Sequence, residues 1–494
     1  MEMELELDVL WAIAGALLLG GWVSVFWFMK RVNEWYYVGK LGELEYPLPP
    51  GDLGLPFVGN MLSFFTSLRS GDPNLFLQTL VIRYGKSSMY KTHLFGCPSI
   101  IVCRPELCRR VLTNDEHFGN GYPKSAYLLT GEKSLHSITI AEHSRLRRLI
   151  APPINGHESL ATYIPLIEEV VMNSLDEWAS MKRPFELYTE MKKATFKVMT
   201  RIFMGTVNDY TFWTKQDLFG DYIDGMVSLV IDLPGFPFHK AIKARKELVK
   251  LLQSVLNEKK VMPKSNDQPK AKKDMIDLLM EVEDEDGQKL EDEHVVDLLL
   301  AFMAAGFDSS AITTLWALLH LYERPEILKK AKEEQDEIIK RRPSTQKGLN
   351  LKEIKEMDFL AKVIDEMLRM THGLSIFREA KVDVTMHGYT IPKGWKVLVW
   401  TGAVHMDPET YENPTDFNPL RWDNINPKAG AFIPFGAGRK ICPGNSLAKL
   451  VIKIFLHYFV LNYKLKQLNP DAPIRYTHGP VHTDKCLVEV KKII

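Results

Sequence analysis

Phe435-Gly-Ala-Gly438-Arg439-Lys440-Ile441-Cys442-Pro443-Gly444 runs near the C-terminal end of the chain and sets one cysteine in a glycine-bracketed loop. Gly436, Gly438 and Gly444 predict backbone conformations closed to other residues and a close approach to a flat ligand. Apolar residues then recur at helical spacing through Leu447, Leu450, Val451, Ile454 and Phe455. Cys442 is therefore expected at a helix N-terminus, where the dipole and free N–H groups favour thiolate over thiol. A cysteine by itself reads first as a small buried hydrophobe. The defined neighbours on both sides of this one reverse that balance.

A thiolate with aromatic and basic neighbours suits axial ligation of haem iron. The segment resembles the haem-binding loop of the cytochrome P-450 monooxygenases, F-G-x-G-x-[R/H]-x-C-x-G. The resemblance implies a mainly α fold with a small β region, and haem b ligated through iron by Cys442. It also implies cofactor contacts from Phe435, Gly436, Gly438 and Lys440. Lys440 stands where the family usually has arginine or histidine; it keeps the charge facing a haem propionate but gives up the planar fork of arginine. Further propionate cations implied are Arg147, in His143-Ser-Arg-Leu-Arg147-Arg148, and Arg378, in Ile376-Phe-Arg378-Glu379. His143 occupies the position usual for tryptophan and can hydrogen-bond a propionate as an indole does.

Across the 494 residues, 62 Lys and Arg balance 62 Asp and Glu, so net charge gives no argument for a nucleic-acid partner. Cys97, Cys103, Cys108, Cys442 and Cys486 are scattered and form neither a disulfide framework nor a zinc signature, which fits a reducing compartment. Val9 to Met29 is uncharged and long enough to cross a bilayer. Glu2, Glu4, Glu6 and Asp8 precede it and Lys30 and Arg31 follow, which leaves the N-terminus lumenal and the remainder cytosolic. The basic n-region and A-x-A site of a cleaved signal peptide are missing. The expected organisation is an anchor over 1–30 and a linker over 31–60 with a stiff Pro47-Leu-Pro-Pro50 hinge. The haem-thiolate domain follows over 61–494. The lysine-rich stretch Lys259 to Lys273 and the acidic Glu281 to Glu293 read as solvated loops. Leu233-Pro-Gly-Phe-Pro-Phe238 reads either as a turn dipping towards the bilayer or as a buried turn.

Leu298 to Leu319 reads as one long apolar helix interrupted at Ala304-Ala-Gly306-Phe307-Asp308-Ser309-Ser310. Glycine destabilises a helix interior, a buried carboxylate needs a partner, and serine hydroxyls can bond back to the preceding turn. One reading is a packed helix with a glycine contact. The other follows from the resemblance to the [A/G]-G-x-[D/E]-T-T motif of the oxygen-binding helix, with Ser309 in the usual threonine position. That resemblance implies a widened turn in which Asp308 and Ser309 guide protons to the oxygen being reduced. Glu366-Met-Leu-Arg369 sets opposite charges three residues apart on an apolar-flanked helix. With Arg421, in Phe417-Asn-Pro-Leu-Arg421-Trp422, it resembles the family's structural triad behind the haem loop.

Pro50-Gly-Asp-Leu-Gly, Glu142-His-Ser-Arg-Leu-Arg-Arg148 and Pro392-Lys-Gly-Trp395 look like the plant ent-kaurenoic acid oxidase group and its triterpenoid-oxidising relatives. Where ent-kaurenoic acid oxidases read A-G-H-E-S-S-G-H, this chain has Phe307, Asp308, Ala311 and Ile312, and its Met370 to Ile376 loop is one residue shorter. The resemblance implies a single-pass endoplasmic-reticulum monooxygenase of an apolar terpenoid, more a triterpenoid of specialised metabolism than ent-kaurenoic acid. Electrons would come from NADPH through a separate NADPH-cytochrome P-450 reductase, since the chain has no flavin or nicotinamide motif. A haem-thiolate isomerase or dehydratase, and a haem sensor or carrier, are the readings from other classes. Asp308-Ser309 argues against the first.

Overall fold

The structure, a computed structural model, describes the chain except residues 1, 132, 136, 206–214, 262–272, 372–374, 478 and 494. It is mainly α, with short strands gathered into a small β region. The largest sheet has five strands in the order Met89–Leu94, Cys97–Val102, Lys396–Val399, Ile376–Ala380 and Phe118–Asn120. Cys97–Val102 and Lys396–Val399 run parallel, with Ile100 opposite Val397, and the other pairs are antiparallel. Ile376–Ala380 thereby carries Arg378 in pairing with Asn120 and Val397.

The main core is built around the helix Asp292–Glu323, which is hydrophobic on nearly every side and buried almost all round. Helices Leu187–Met204, Pro237–Val261 and Asn445–Asn462 pack against it. Two helices are long and apolar enough to cross a membrane, and burial separates them. In Asp292–Glu323, 78% of the apolar window lies inside the fold, whereas the N-terminal stretch Ile13–Val38 buries none of its own. Trp11, Leu18, Trp22 and Trp27 stand exposed along the helix Glu2–Asn33. Its end is tied to the globule: Asn33 Nδ2 donates to the carbonyls of Leu53 (2.9 Å) and Leu55 (2.6 Å), and Glu34 pairs with Lys91 (3.1 Å).

The expected interruption of the long helix is absent. Asp292–Glu323 runs unbroken through Ala304–Ser310, with Ser309 Oγ donating to the Ala305 carbonyl (2.9 Å) and Thr313 Oγ1 to that of Ser309 (2.9 Å). The hydroxyls thus bond to carbonyls of their own helix, and the turn stays closed. Gly306 answers the packing reading: a Cβ there would meet Met199 Sδ at 3.1 Å, so glycine lets the helix Leu187–Met204 come close. In the turn before Pro237–Val261, Leu233 is 57% and Phe236 43% exposed, which removes the buried-turn reading for those two side chains. Lys259 lies in that helix and pairs with Asp274, while most of the lysine-rich stretch (262–272) lies outside the described residues. In the acidic stretch, Asp284 accepts from Arg145 Nε at 2.6 Å.

Candidate active site

Cys442 sits between the turn Gly438–Lys440 and the helix Asn445–Asn462, and its N–H donates to the Phe435 carbonyl at 2.9 Å, closing the loop. Gly436 (φ 75°) and Gly438 (φ 73°) adopt left-handed backbone. A Cβ at Gly438 would lie 2.6 Å from the Leu112 carbonyl oxygen, so this position has no room for a side chain. Gly444 differs from the expectation: its φ is −92°, a Cβ there would meet nothing within 4 Å, and it serves as the helix N-cap. The helix end alone does not set Cys442 as a thiolate. Burial pushes its thiol above the ordinary value, against the opposing pull of the Gly444 N–H and the Arg147 charge. A metal bound to the sulfur would remove that proton outright.

Cys442 opens into a cavity of about 490 Å³, within the ordinary range for small-molecule sites. One wall is the face Ala301, Ala305, Ser309 and Thr313 of the long helix, repeating every fourth residue. These small side chains leave a flat surface. Phe435 and Gly436 border the side of the cavity near the cysteine, and Ile376 faces Gly436 at 3.6 Å from its would-be Cβ. Among the described residues, no other cysteine lines this space.

At one border of the cavity stand Arg147, Arg378, Lys440 and His143. His143 and Arg147 are four residues apart on the helix Ile140–Asn155 and therefore share its face. No acidic group lies within ion-pair distance of Arg147 or Arg378 among the described residues. Arg378 is only 2% exposed, and its Nε is a buried donor with no partner. Burial pulls its guanidinium down from the ordinary value, a shift that a nearby anion would oppose. Burial, then the Arg378 charge, brings Lys440 down to about 8, and Lys440 Nζ donates to Asn120 Oδ1 at 2.6 Å. Of the two adjacent basic residues, Lys440 is thus the one facing the cavity, while the Arg439 side chain is 70% exposed beside Asp115. His143 is pushed down to about 4 by burial, then by Lys440 and Arg147, so near neutrality it is an uncharged hydrogen-bonding group.

A flat walled slot, one cysteine and a border of cations lacking anions fit a planar dianion held through sulfur, as haem is. Losing one charge-assisted hydrogen bond costs about 1.5–3 kcal/mol. Arg378→Met is therefore expected to weaken haem retention roughly ten- to a hundredfold, read as haem transfer to an acceptor protein. Unchanged transfer would take Arg378 out of the cradle.

The Glu366, Arg369 and Arg421 triad is assembled as expected. Arg369 donates from Nε (3.0 Å) and Nη2 (2.9 Å) to the Glu366 carboxylate, and Arg421 Nε donates at 2.9 Å. Trp422 Nε1 (3.1 Å) and the Asn418 N–H (3.0 Å) complete its shell, which sequence spacing did not reveal. Arg369 Nη1 reaches the His405 carbonyl at 2.9 Å, and His405 Nε2 accepts from the Ile433 N–H at 3.0 Å. The triad is coupled in this way to the backbone two residues before Phe435. From the other side Asn155 donates to the Pro443 carbonyl.

Sequence reading erred on which oxygen-helix residues meet a ligand. Phe307 is fully buried and turned from the cavity, with its ring 5.4 Å from Phe196 and 6.3 Å from Phe219. Ala311 is likewise buried, and of the departures noted there only Ile312 lines the cavity. Asp308 and Ser309 are not brought together. Ser309 lines the cavity, whereas Asp308 accepts from Tyr188 Oη at 2.7 Å on another face, as consecutive helical residues must. The short loop Met370 to Ile376 lies partly outside the described residues, at 372–374.

The cytochrome P450 family model matches residues 49–488. The chain is 51% identical to a 7,8-epoxymelianol synthase of Ailanthus altissima, over 100% of this chain and 99% of that one. It is 48% identical to ent-kaurenoic acid oxidase 1 of Arabidopsis thaliana, over 96% of this chain and 97% of the other. A solved retinoic acid-bound cyanobacterial cytochrome P450 superposes with a TM-score of 0.80 at 26% identity, covering 91% of this chain and all of that one. With the cysteine loop, the cation border and the helical architecture, these matches establish that the chain belongs to the cytochrome P450 family, oxidoreductases whose cofactor is a haem-thiolate.

Proposed function

We propose that this enzyme is a membrane-anchored monooxygenase that hydroxylates or epoxidises a terpenoid, in particular a triterpenoid. The observation that carries the reading is the cavity between Cys442 and the Ala301, Ala305, Ser309 and Ile312 wall. It joins a sulfur ligand to a largely apolar chamber in a chain half-identical to the epoxymelianol synthase. Residues 1–30 serve as the anchor in the endoplasmic reticulum, 31–60 connect, and 61–494 form the cytosolic catalytic domain. NADPH-cytochrome P-450 reductase supplies the electrons. For a hydroxylation the balance is R–H + O2 + NADPH + H⁺ → R–OH + H2O + NADP⁺.

Cys442 holds the cofactor, while Arg147, Arg378, Lys440 and His143 receive its carboxylates. When bound, haem supplies reductive activation of dioxygen. The apolar walls orient the substrate and exclude water, and the Ser309 hydroxyl stands at the cavity to hand on protons. Exposed Leu233 and Phe236 suit a turn resting against the bilayer that delivers such a substrate. The test is to incubate microsomes with a terpenoid panel and NADPH, and to identify products by mass spectrometry and NMR. Conversion of ent-kaurenoic acid alone would replace the triterpenoid reading with the second one that the 48% identity supports.

Ile312 is the position from which substrate choice is expected to be read. Its Cδ1 and Cγ2 lie 3.2 Å from where a Cβ of Gly479 would sit, so the apolar side chain fills the space left by that glycine at the cavity edge. Ile312→His puts a polar ring there. The triterpenoid dissociation constant, from substrate-induced haem difference spectra, should rise roughly tenfold or more. An unchanged constant would remove Ile312 from the determinants.

A further inference from the structure

Gly479 borders the cavity immediately before Pro480, in a ribbon whose strand Ile474–Tyr476 pairs antiparallel with Pro480–His482. A ribbon of two strands is marginal on its own and takes its position from what it leans on. Here it leans on the central helix Asp292–Glu323 through Ile312 and Trp316, which are one turn apart on the same face. Ile312 limits movement inward: even a methyl group on Gly479 would meet its Cδ1 and Cγ2 at 3.2 Å. Trp316 limits retreat, because its indole Nε1 donates to the Pro480 carbonyl at 2.7 Å. Trp316 itself is 8% exposed and lies outside the cavity lining. His482, at the far end of the same strand, stacks on the indole with ring centres 5.0 Å apart and planes 23° from parallel. His320 flanks the indole at 5.7 Å and stacks on Phe417 at 4.7 Å. Phe417 adjoins Asn418, whose N–H donates to Glu366. The indole is thereby braced against the framework that also supports the cysteine loop.

We propose that Trp316 is a positioning residue for substrate selection: through Pro480 it fixes where the Gly479 wall stands, and so which carbon of a rigid fused-ring ligand is presented for oxidation. The proposal rests on the reading of the cavity as a terpenoid site and adds a determinant from outside the lining. A fused-ring ligand has few torsions with which to adapt, so a shift of one wall changes its seating and not its own shape. Contacts of that size matter, since a single methylene in an apolar pocket discriminates roughly 10–200-fold. The two supports from the helix differ in kind. The Ile312 contact is apolar and without direction, whereas the indole bond has direction and sets the register of the ribbon along the helix. Pro480 lacks an N–H, so its carbonyl is the only backbone hydrogen-bonding group it can offer for this attachment.

The test uses the haem-loaded full chain with Trp316→Phe, which removes the donor and keeps a ring beside His482. Hydrogen–deuterium exchange of the substrate-free enzyme, read by mass spectrometry over residues 474–483, should quicken about two- to tenfold, the worth of one hydrogen bond. Haem content and the carbon monoxide spectrum should stay as in the wild type. His482→Ala removes the stacked ring and leaves the indole in place. It should quicken the same segment to a smaller extent, and it serves where Trp316→Phe yields no folded enzyme. With a terpenoid that the wild type converts, Trp316→Phe should open oxidation at a second carbon or shift the product ratio several-fold. Gly479→Ala should raise that terpenoid's dissociation constant by crowding Ile312, and should raise it less when combined with Trp316→Phe, where the wall can yield. Exchange over 474–483 equal to the wild type in both ring variants would overturn the proposal. So would unchanged products together with independent effects of Trp316→Phe and Gly479→Ala. If the wild type converts no terpenoid the functional reading falls, and the exchange result alone decides this one.

Discussion

Cys442→Ser is expected to abolish turnover and the thiolate-type spectrum of the reduced carbon monoxide adduct. The substitution keeps the size of the side chain and the loop's own bonds. The Cys442 N–H to Phe435 bond and the left-handed turns at Gly436 and Gly438 depend on backbone alone. What it removes is a soft sulfur that deprotonates on metal binding and pushes electron density towards O–O cleavage. Because Arg147, Arg378 and Lys440 remain at the border, a part of the haem should still be retained, and turnover should fall further than haem content does. The measurement is the carbon monoxide difference spectrum beside haem content and substrate turnover. A normal thiolate spectrum in the variant would mean that another residue ligates the iron, although Cys108 and Cys486 are buried in the fold and none of the other four cysteines lines the cavity.

The cysteine loop was legible because several independent constraints fall in ten consecutive residues; two of its glycines are required by φ, and Gly438 by contact as well. The burial of the Glu366 and Arg369 pair was legible from its apolar flanks, whereas Arg421 came in only through the resemblance, because no local pattern ties it to the other two. Facing direction was not. Asp308, Ser309 and Phe307 are adjacent in sequence, yet a closed helix turns each about 100° from the next, sending one to the cavity and two to a neighbouring helix. A motif read as a unit hides that divergence. Tyr188, and Lys192 with its Nζ 3.5 Å from Asp308, gave no signal because they are more than a hundred residues from Asp308 and only tertiary packing joins them. The same holds for His405, whose imidazole accepts from the backbone N–H of Ile433. Lys440 was singled out over Arg439 through the resemblance, and in the structure Lys440 lines the cavity while Arg439 is largely exposed.

Glu366→Gln should destabilise the protein strongly and lower the yield of haem-loaded enzyme before any catalytic step is affected. Glu366 and Arg369 are fully buried, and Arg421 is 7% exposed. The carboxylate accepts from both guanidinium groups, the Trp422 indole and the Asn418 N–H. Glutamine has nearly the same shape, but its amide nitrogen donates where a donor already points, and two buried arginines lose their only anion among these contacts. Breaking a buried pair by removing one partner costs about 3–5 kcal/mol, a large share of the roughly 5–15 kcal/mol that separates folded from unfolded chains. The Arg369 link to the His405 carbonyl then loosens the bond from Ile433 to His405, and with it the strand of backbone entering Phe435. Thermal unfolding by circular dichroism, together with haem content per protein, checks this. A melting temperature and haem occupancy equal to the wild type would show that the cysteine loop holds its shape without the triad, leaving Asn155 at Pro443 as its principal support from the surrounding helices.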